Sequence, residues 1–290
     1  MTDHVQGLHH VTAIAGSARG NLEFYRDALG LRFVKKTVNF DDPGTYHLYY
    51  GDETGSAGSI MTFFPWEGMR QGQTGAGQTV LTHFAVPVGS LGFWTGRLPS
   101  FGAELLREEV VFGARRAVLA DPDGLRFAMV EREDGRMPWR AEGIGADVAV
   151  RGFAGVTLAV RDGTSTARVL TEVFGYTAEG AEGSLRRFRA RSGAADVVDL
   201  EIDPAMPLGQ EGAGSVHHVA FSVPDREAQL AMRARMEAAG LRVTQQIDRD
   251  YFWAIYSRVP EGILFEVATD EPGFAVDEPV EALGTALKLP

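Results

Sequence analysis

His9-His10 near one end of the chain and His217-His218 near the other sit in almost the same local sequence, HHVTAIAG and HHVAFSV, and Glu266 follows the second pair in GILFEVA. Two imidazoles and one carboxylate at matching positions point to a metal site. Such a set on one face of an octahedron leaves three positions open, the arrangement expected of non-haem Fe(II) chemistry in which two small molecules share one metal. The chain has no cysteine, which removes disulfides, thiolate nucleophiles and Cys-ligated zinc and leaves nitrogen and oxygen as the strong ligands. A carboxylate inside the apolar run ILFEVA also needs a partner to offset its desolvation, and a cation supplies one.

The elements that must position these residues recur four times, and repeats are read first because a missed period misassigns the fold. The first unit, from about Gly7 to Trp66, has an alternating strand LHHVTAIAG, a helix from Ser17 that stops at Gly30, and strands around FVKKTVNF, YHLYYGD and SIMTFFP. The second begins with VLTHFAVPV, has a helix near FWTGRLPSFG, and ends with the turn DPDG and the strand LRFAMVE. The third runs from GFAGVTLAV through ARVLTEVFGY to DVVDLEI, and the fourth from VHHVAFSV through a helix over Asp225 to Ala239, capped by Gly240, to PEG and ILFEVAT. Each unit is strand, helix, then three strands. The polar, Gly- and Pro-containing stretch GRMPWRAEGIGADVAV divides the chain into two tandem domains, 1–138 and 139–290, each a pair of modules, with a tail after Asp270.

Composition narrows the setting. With 290 residues, 44% hydrophobic and 23% charged, the chain reads as an ordinary globular protein with two domains as the better expectation. A formal net charge of −11 without a run of Lys or Arg argues against nucleic acid as a partner. No apolar stretch approaches the roughly 20 residues that cross a bilayer, and MTDHVQG lacks the basic and apolar regions of a signal peptide, so no membrane and a cytoplasmic location are expected.

The four βαβββ modules, the signature FYRDALGLRF, and the opening HHVT followed by KKTVNFDDPGTYHLYYGD resemble the vicinal oxygen chelate superfamily of glyoxalases, bleomycin-resistance proteins and extradiol dioxygenases, and within it the hydroquinone ring-cleaving dioxygenases. The resemblance implies an α+β fold in which curved mixed sheets form metal-binding cups, with ligand positions on the first and last strands of each module. Aligning the first strands places His10, His83, Gly155 and His218 in register; aligning the last strands gives Thr62, Ala128, Asp199 and Glu266. Modules one and four then offer His10, His218 and Glu266, and only that pairing makes three ligands. It is also the pairing the resemblance implies.

What the resemblance implies for function is an Fe(II)-dependent ring-cleaving dioxygenase of extradiol type acting on a hydroquinone-like or other dihydroxylated aromatic with O2, with Mn2+, Zn2+ or Ni2+ as other metals the purified protein could carry. It marks Thr12, His217, Arg249 and Tyr256, with His9, as catalytic candidates: Arg249 for an anionic ring substituent or the oxygen unit, Tyr256 as a hydrogen-bond donor, His217 as general acid or base. Neighbouring residues on a strand point to opposite faces, so His217 reaches the site only through a twist, a bulge or a hydrogen-bonded intermediary. Exposed sheet edges in such modules also place a homodimer within expectation.

The plainer readings stand beside these. His83 reads as a satisfied core histidine. His47, Tyr49 and Tyr50 in YHLYYGD read as aromatics that an alternating strand places inward regardless, and Met61, Phe63, Phe64 and Trp66 suit a pocket wall or plain core equally. Two further function classes remain, a glyoxalase-type metal-dependent isomerase or lyase and a resistance protein that sequesters a small aromatic. Thr62 argues against the first, because a hydroxyl is a poor ligand where a carboxylate would be needed; the full triad argues against the second, because sequestration needs shape and no metal.

Overall fold

The computed structural model describes residues 4–191 and 193–289. Module one contains β1 (Leu8–Ala15), α1 (Ala18–Leu22) continued by a π-helical turn (Glu23–Ala28), β2 (Arg32–Asn39), β3 (Asp42–Gly51) and β4 (Ile60–Pro65). Module two contains β5 (Gln78–Val86), α2 (Leu91–Arg97), β6 (Glu104–Val111), β7 (Ala114–Ala120) and β8 (Arg126–Glu131). Module three has β9 (Phe153–Val160), α3 (Thr164–Arg168), β10 (Thr177–Glu182), β11 (Leu185–Arg189) and β12 (Val197–Ile202), and module four β13 (Ser215–Val223), α4 (Arg226–Ala238), β14 (Ile247–Asp248), β15 (Phe252–Arg258) and β16 (Leu264–Pro272). The expected strand, helix, three-strand order therefore holds in all four. The helix ends follow local chemistry: Asp225 caps α4 by accepting from the amide of Ala228, and Gly240 takes the left-handed conformation just beyond it, with φ +84°.

The strands form two eight-stranded mixed sheets. One runs β14-β15-β16-β13-β1-β4-β3-β2 and joins modules one and four; the other runs β10-β11-β12-β9-β5-β8-β7-β6 and joins modules two and three. The seam of the first is the antiparallel pair β1–β13, flanked on both sides by the parallel pairs β1–β4 and β13–β16. Alternation sorts each strand between two faces. Val11, Ala13, Met61, Phe63, Phe265 and Val267 enter the large apolar core with the helices, whereas Ile60, Ala220 and Ala268 belong to a separate apolar cluster on the concave face. His10, Thr12, Thr62, His218 and Glu266 share the parity of that second set and are all buried.

The tail folds back on the first sheet. Phe274 packs against Tyr49 and Tyr251, and Lys35 on β2, fully buried, reaches Asp277 (2.8 Å) and Glu278. This clamp holds β2 and the β14–β15 corner together across the open side of the curled sheet.

Candidate metal centre and aromatic cavity

Register decides which side chains meet. Across the seam, His10 opposes Ala220 and Thr12 opposes His218, and Ala220 in turn opposes Glu266 on β16. The three ligand candidates thus come from neighbouring strands on one face. His10 Nε2 lies 3.3 Å and His218 Nε2 3.0 Å from Glu266 Oε2, and the two imidazole nitrogens are 3.2 Å apart. This is the only group of three or more potential metal ligands among the described residues.

The doubled histidines explain why those nitrogens face inward. The β1–β13 register shifts between Leu8 and His10 and again where Thr12–His218 gives way to Ala13–Val216, so His9 and His217 each fall at a β-bulge. The bulge is the device that the sequence required for His217, and it turns the residue to the cavity wall. His9 Nδ1 lies 2.8 Å from His10 Nδ1, and donation from His10 to His9 leaves the His9 proton on Nε2. His217 and His218 make the same Nδ1–Nδ1 contact at 2.7 Å. Burial, followed by the neighbouring His10 or His218, lowers His9 to about 3 and His217 to about 4, so both are neutral acceptors. With the proton of each pair on the Nδ1 of His10 and of His218, their Nε2 lone pairs face the cup, the orientation a second shell normally imposes on a metal ligand.

The donor set fits a divalent cation. Burial opposes the charge on Glu266, yet the imidazoles of His10 and His218 hold its carboxyl well below the usual range. Burial lowers His218 despite Glu266, which keeps that ring neutral. Neither oxygen of Glu266 has a partner in hydrogen-bond geometry, and the side chain is fully buried. A fully buried carboxylate 3.0 and 3.3 Å from two imidazole nitrogens needs positive charge beside it to stay ionised, and a divalent cation among the three donors supplies that charge without a proton.

Above the triad opens a cavity of ≈ 490 Å³. Phe40, Tyr49, Phe64, Trp66, Phe252 and Leu264 supply its apolar walls, and His47, His217, Arg249 and Tyr256 its polar points. Tyr256 on β15 stands directly across from Glu266 in the β15–β16 pairing, 5.8 Å ring-to-ring from His218. Burial, then the Glu266 charge, raises its hydroxyl well above 10, which keeps it a donor. Arg249 closes the mouth from the other side: its Nη2 donates to Asp41 Oδ2 at 3.2 Å, with the guanidinium 5.5 Å from the rings of Phe40 and Tyr256. Thr12 lies behind the lining, paired with His218 across the seam and bonded to Thr62 at 2.9 Å. The structure thus gathers His10, His218, Glu266, His217, Arg249 and Tyr256 at one cavity, with Thr12 beneath it.

Two sequence readings change, and one lining segment went unread. His47 and Tyr49 are not plain core: both line the cavity, and only Tyr50 turns inward, where it donates to Asn21. Parity on β3 carries this signal, since 47 and 49 alternate with the core positions Leu48 and Tyr50. The hairpin turn Asn39 to Asp42 also lines the mouth, and no chemical motif marks it. Finally, His83 is not the counterpart of His10. It pairs with Gly155, as Thr12 pairs with His218, and the module-two bulge falls between Thr79 and Leu81, so Leu81 holds the position of His10. A slip of two residues preserves the facing of every side chain, which is why the alternation concealed it.

The sequence profile of the Glyoxalase/Bleomycin resistance protein/Dioxygenase superfamily matches residues 7–129 and 152–276. The chain belongs to this superfamily. Among superfamily members, a Bacillus subtilis (strain 168) protein named "Putative ring-cleaving dioxygenase MhqO" is 45% identical over 291 residues, spanning 100% of this chain and 93% of its own length. A chlorohydroquinone/hydroquinone 1,2-dioxygenase of Sphingobium indicum is 34% identical over 301 residues, covering 100% of this chain and 92% of that protein. The crystal structure of a B. subtilis protein titled "putative dioxygenase" superposes with a TM-score of 0.95 at 45% identity, over 99% of this chain and 92% of the other. No described helix is long and apolar enough to cross a membrane.

Proposed function

We propose that this superfamily member is an Fe(II)-dependent, extradiol-type dioxygenase that opens the ring of a hydroquinone or closely related dihydroxylated aromatic, with both atoms of O2 entering the product. The observation that carries the reading is the buried His10–His218–Glu266 set, with two bare imidazole nitrogens and an unsatisfied carboxylate, at the floor of an aromatic-walled cavity. The names of the dioxygenase relatives support the same reaction class. The division of the chain at 138/139 is retained as part of the proposal, the profile matches falling on either side of it.

His10, His218 and Glu266 would hold the metal, and a ferrous ion there would supply the acidity that ionises a phenol and the redox chemistry that engages O2. The remaining work belongs to the protein. Phe40, Phe64, Trp66 and Phe252 pack the ring and exclude water. Tyr256, held protonated, donates a hydrogen bond to the oxygen that gains negative charge as the ring is attacked. Arg249 swings its guanidinium between Asp41 and an anionic oxygen in the cavity. His217, neutral and on the cavity wall with Nδ1 engaged by His218, presents its Nε2–H to the cavity and donates a hydrogen bond to the oxygen of the bound phenol or of the opened product. Thr62 stands where a fourth protein ligand would have to be, but its hydroxyl is taken by His47 and Thr12. Three positions stay available, which favours two-substrate oxygen chemistry over an isomerase.

The test is anaerobic reconstitution with Fe(II), then oxygen uptake across a panel of hydroquinones and catechols with product absorbance followed. Uptake with a hydroquinone that disappears in His218→Ala is the expected result. Hemithioacetal turnover under Ni(II) or Zn(II) without oxygen uptake would replace this reading with an isomerase.

A further inference from the structure

Behind the cavity a chain of hydrogen bonds runs Tyr49 Oη to His47 Nδ1 (2.7 Å), His47 Nε2 to Thr62 Oγ1 (2.8 Å), and Thr62 Oγ1 to Thr12 Oγ1 (2.9 Å). All four side chains are buried, and β3 and β4 hold them in place: Tyr49 pairs with Thr62, and Thr62 with Thr12. We propose that Tyr49, His47 and Thr62 form a polarity-setting relay whose purpose is to direct the Thr12 hydroxyl proton toward oxygen atoms bound beside His10 and His218. This deepens the dioxygenase reading and rests on it.

The polarity follows from counting protons. A neutral imidazole has one N–H and one lone pair, so the chain must point one way throughout. Burial, then His10 and His218, keeps His47 neutral, and burial keeps the Tyr49 phenol protonated. If His47 donated from Nδ1 to Tyr49, the phenol proton would be stranded: His47 is its sole hydrogen-bond partner among the described residues, and Phe274 and Tyr251 pack around it. Stranding a buried donor is the costlier arrangement. Tyr49 therefore donates to His47, His47 donates from Nε2 to Thr62, and Thr62 donates to Thr12. Thr12 accepts and has to send its own proton elsewhere. Its strand neighbour across the seam is His218, and it shares the face of His10. The acceptor at that end is an oxygen held by the triad; at the opposite end Phe274 and Tyr251 pack against the phenol ring. Stacking fixes the imidazole, with ring centroids 4.0 Å from Tyr49 and 4.4 Å from Phe64. In the relay His47, Tyr49 and Thr62 are positioning residues that act through Thr12.

Two measurements test this. In Zn(II)-loaded and metal-free protein with labelled histidines, proton–nitrogen correlation spectra, with His47 assigned through its loss in His47→Gln, are expected to show the Nε2–H tautomer, becoming mixed in Tyr49→Phe. An Nδ1–H tautomer in the unaltered protein overturns the proposal whatever the enzyme does. In the Fe(II)-reconstituted enzyme with hydroquinone, Thr62→Val is expected to lower kcat about tenfold or more with KM within about twofold and metal content unchanged, and Thr62→Ser to restore it. Full kcat in Thr62→Val overturns the relay. Absence of oxygen uptake in the unaltered enzyme strikes the dioxygenase reading instead and leaves the tautomer result to decide the polarity.

Discussion

The molecule contains two versions of the same cup, and they have solved the same electrostatic problem in opposite ways. In the first, the four equivalent positions on the inner strands hold His10, His218, Glu266 and Thr62; in the second, register places Leu81, Gly155, Asp199 and Ala128 there. Both cups retain a fully buried carboxylate. Asp199 is neutralised from within, by a two-pronged bond from Arg187 at 2.8 Å for each prong, the guanidinium lying 4.1 Å over Phe112. Glu266 has no such partner. A side chain at Gly155 would press a Cβ to 2.3 Å from the carbonyl of Val197, so the second cup has no room for an imidazole at that position. Its cavity is ≈ 280 Å³ against ≈ 490 Å³, and its lining holds Arg116, Arg132, Arg187 and Arg189 with Phe112 in place of the several aromatics of the first. A satisfied carboxylate makes a scaffold, and an unsatisfied one makes a site.

Substitutions can break or sharpen this contrast. The largest effect is expected from Glu266→Ala or His10→Ala, which should abolish bound metal and oxygen uptake, exceeding the roughly 10- to 100-fold affinity loss typical of outer-shell changes; metal analysis after dialysis checks it. Asp199→Ala in the other cup should leave metal content untouched while destabilising the fold by about 3–5 kcal/mol, because it strands buried Arg187, as denaturant unfolding would show. His217→Ala and His9→Ala, which remove the acceptors that aim His218 and His10, should each weaken metal affinity by about 10- to 100-fold with the fold intact, measured by competition with a chelator. The smallest and most diagnostic effect is one of response: added divalent metal should raise the denaturation midpoint of the unaltered protein and of an Asp199 variant but leave that of Glu266→Gln unchanged. If metal stabilises Glu266→Gln as much as the unaltered protein, the two carboxylates are equivalent and the contrast fails.

Much of this was legible in residue order. The period-two pattern of HHVTAIAG and HHVAFSV, the four repeated units and the lone acid in ILFEVA located the triad, because burial on one face forces alternation and a buried acid demands a partner. The helix boundaries at Asp225 and Gly240 were equally plain, since capping is local. His47 and Tyr49 were misread because alternation says only that an aromatic is buried, not which of two buried faces it joins. The bulges at His9 and His217 and the slip at His83 were hidden for a related reason: bulge and register belong to a pair of strands far apart in sequence.

By itself, the sequence determined the fold class, the four modules and the three residues able to hold a metal, because these depend on periodicity and on the chemistry of single side chains. Only the tertiary structure decided that Arg249 meets Asp41 at the mouth, that Tyr49, His47, Thr62 and Thr12 form one hydrogen-bonded line, and that an arginine, Arg187, pairs with Asp199 while Glu266 meets the imidazoles of His10 and His218. Those outcomes depend on distances of about 3 Å between strands that only folding brings together, and hydrogen-bond direction and charge compensation act at no longer range.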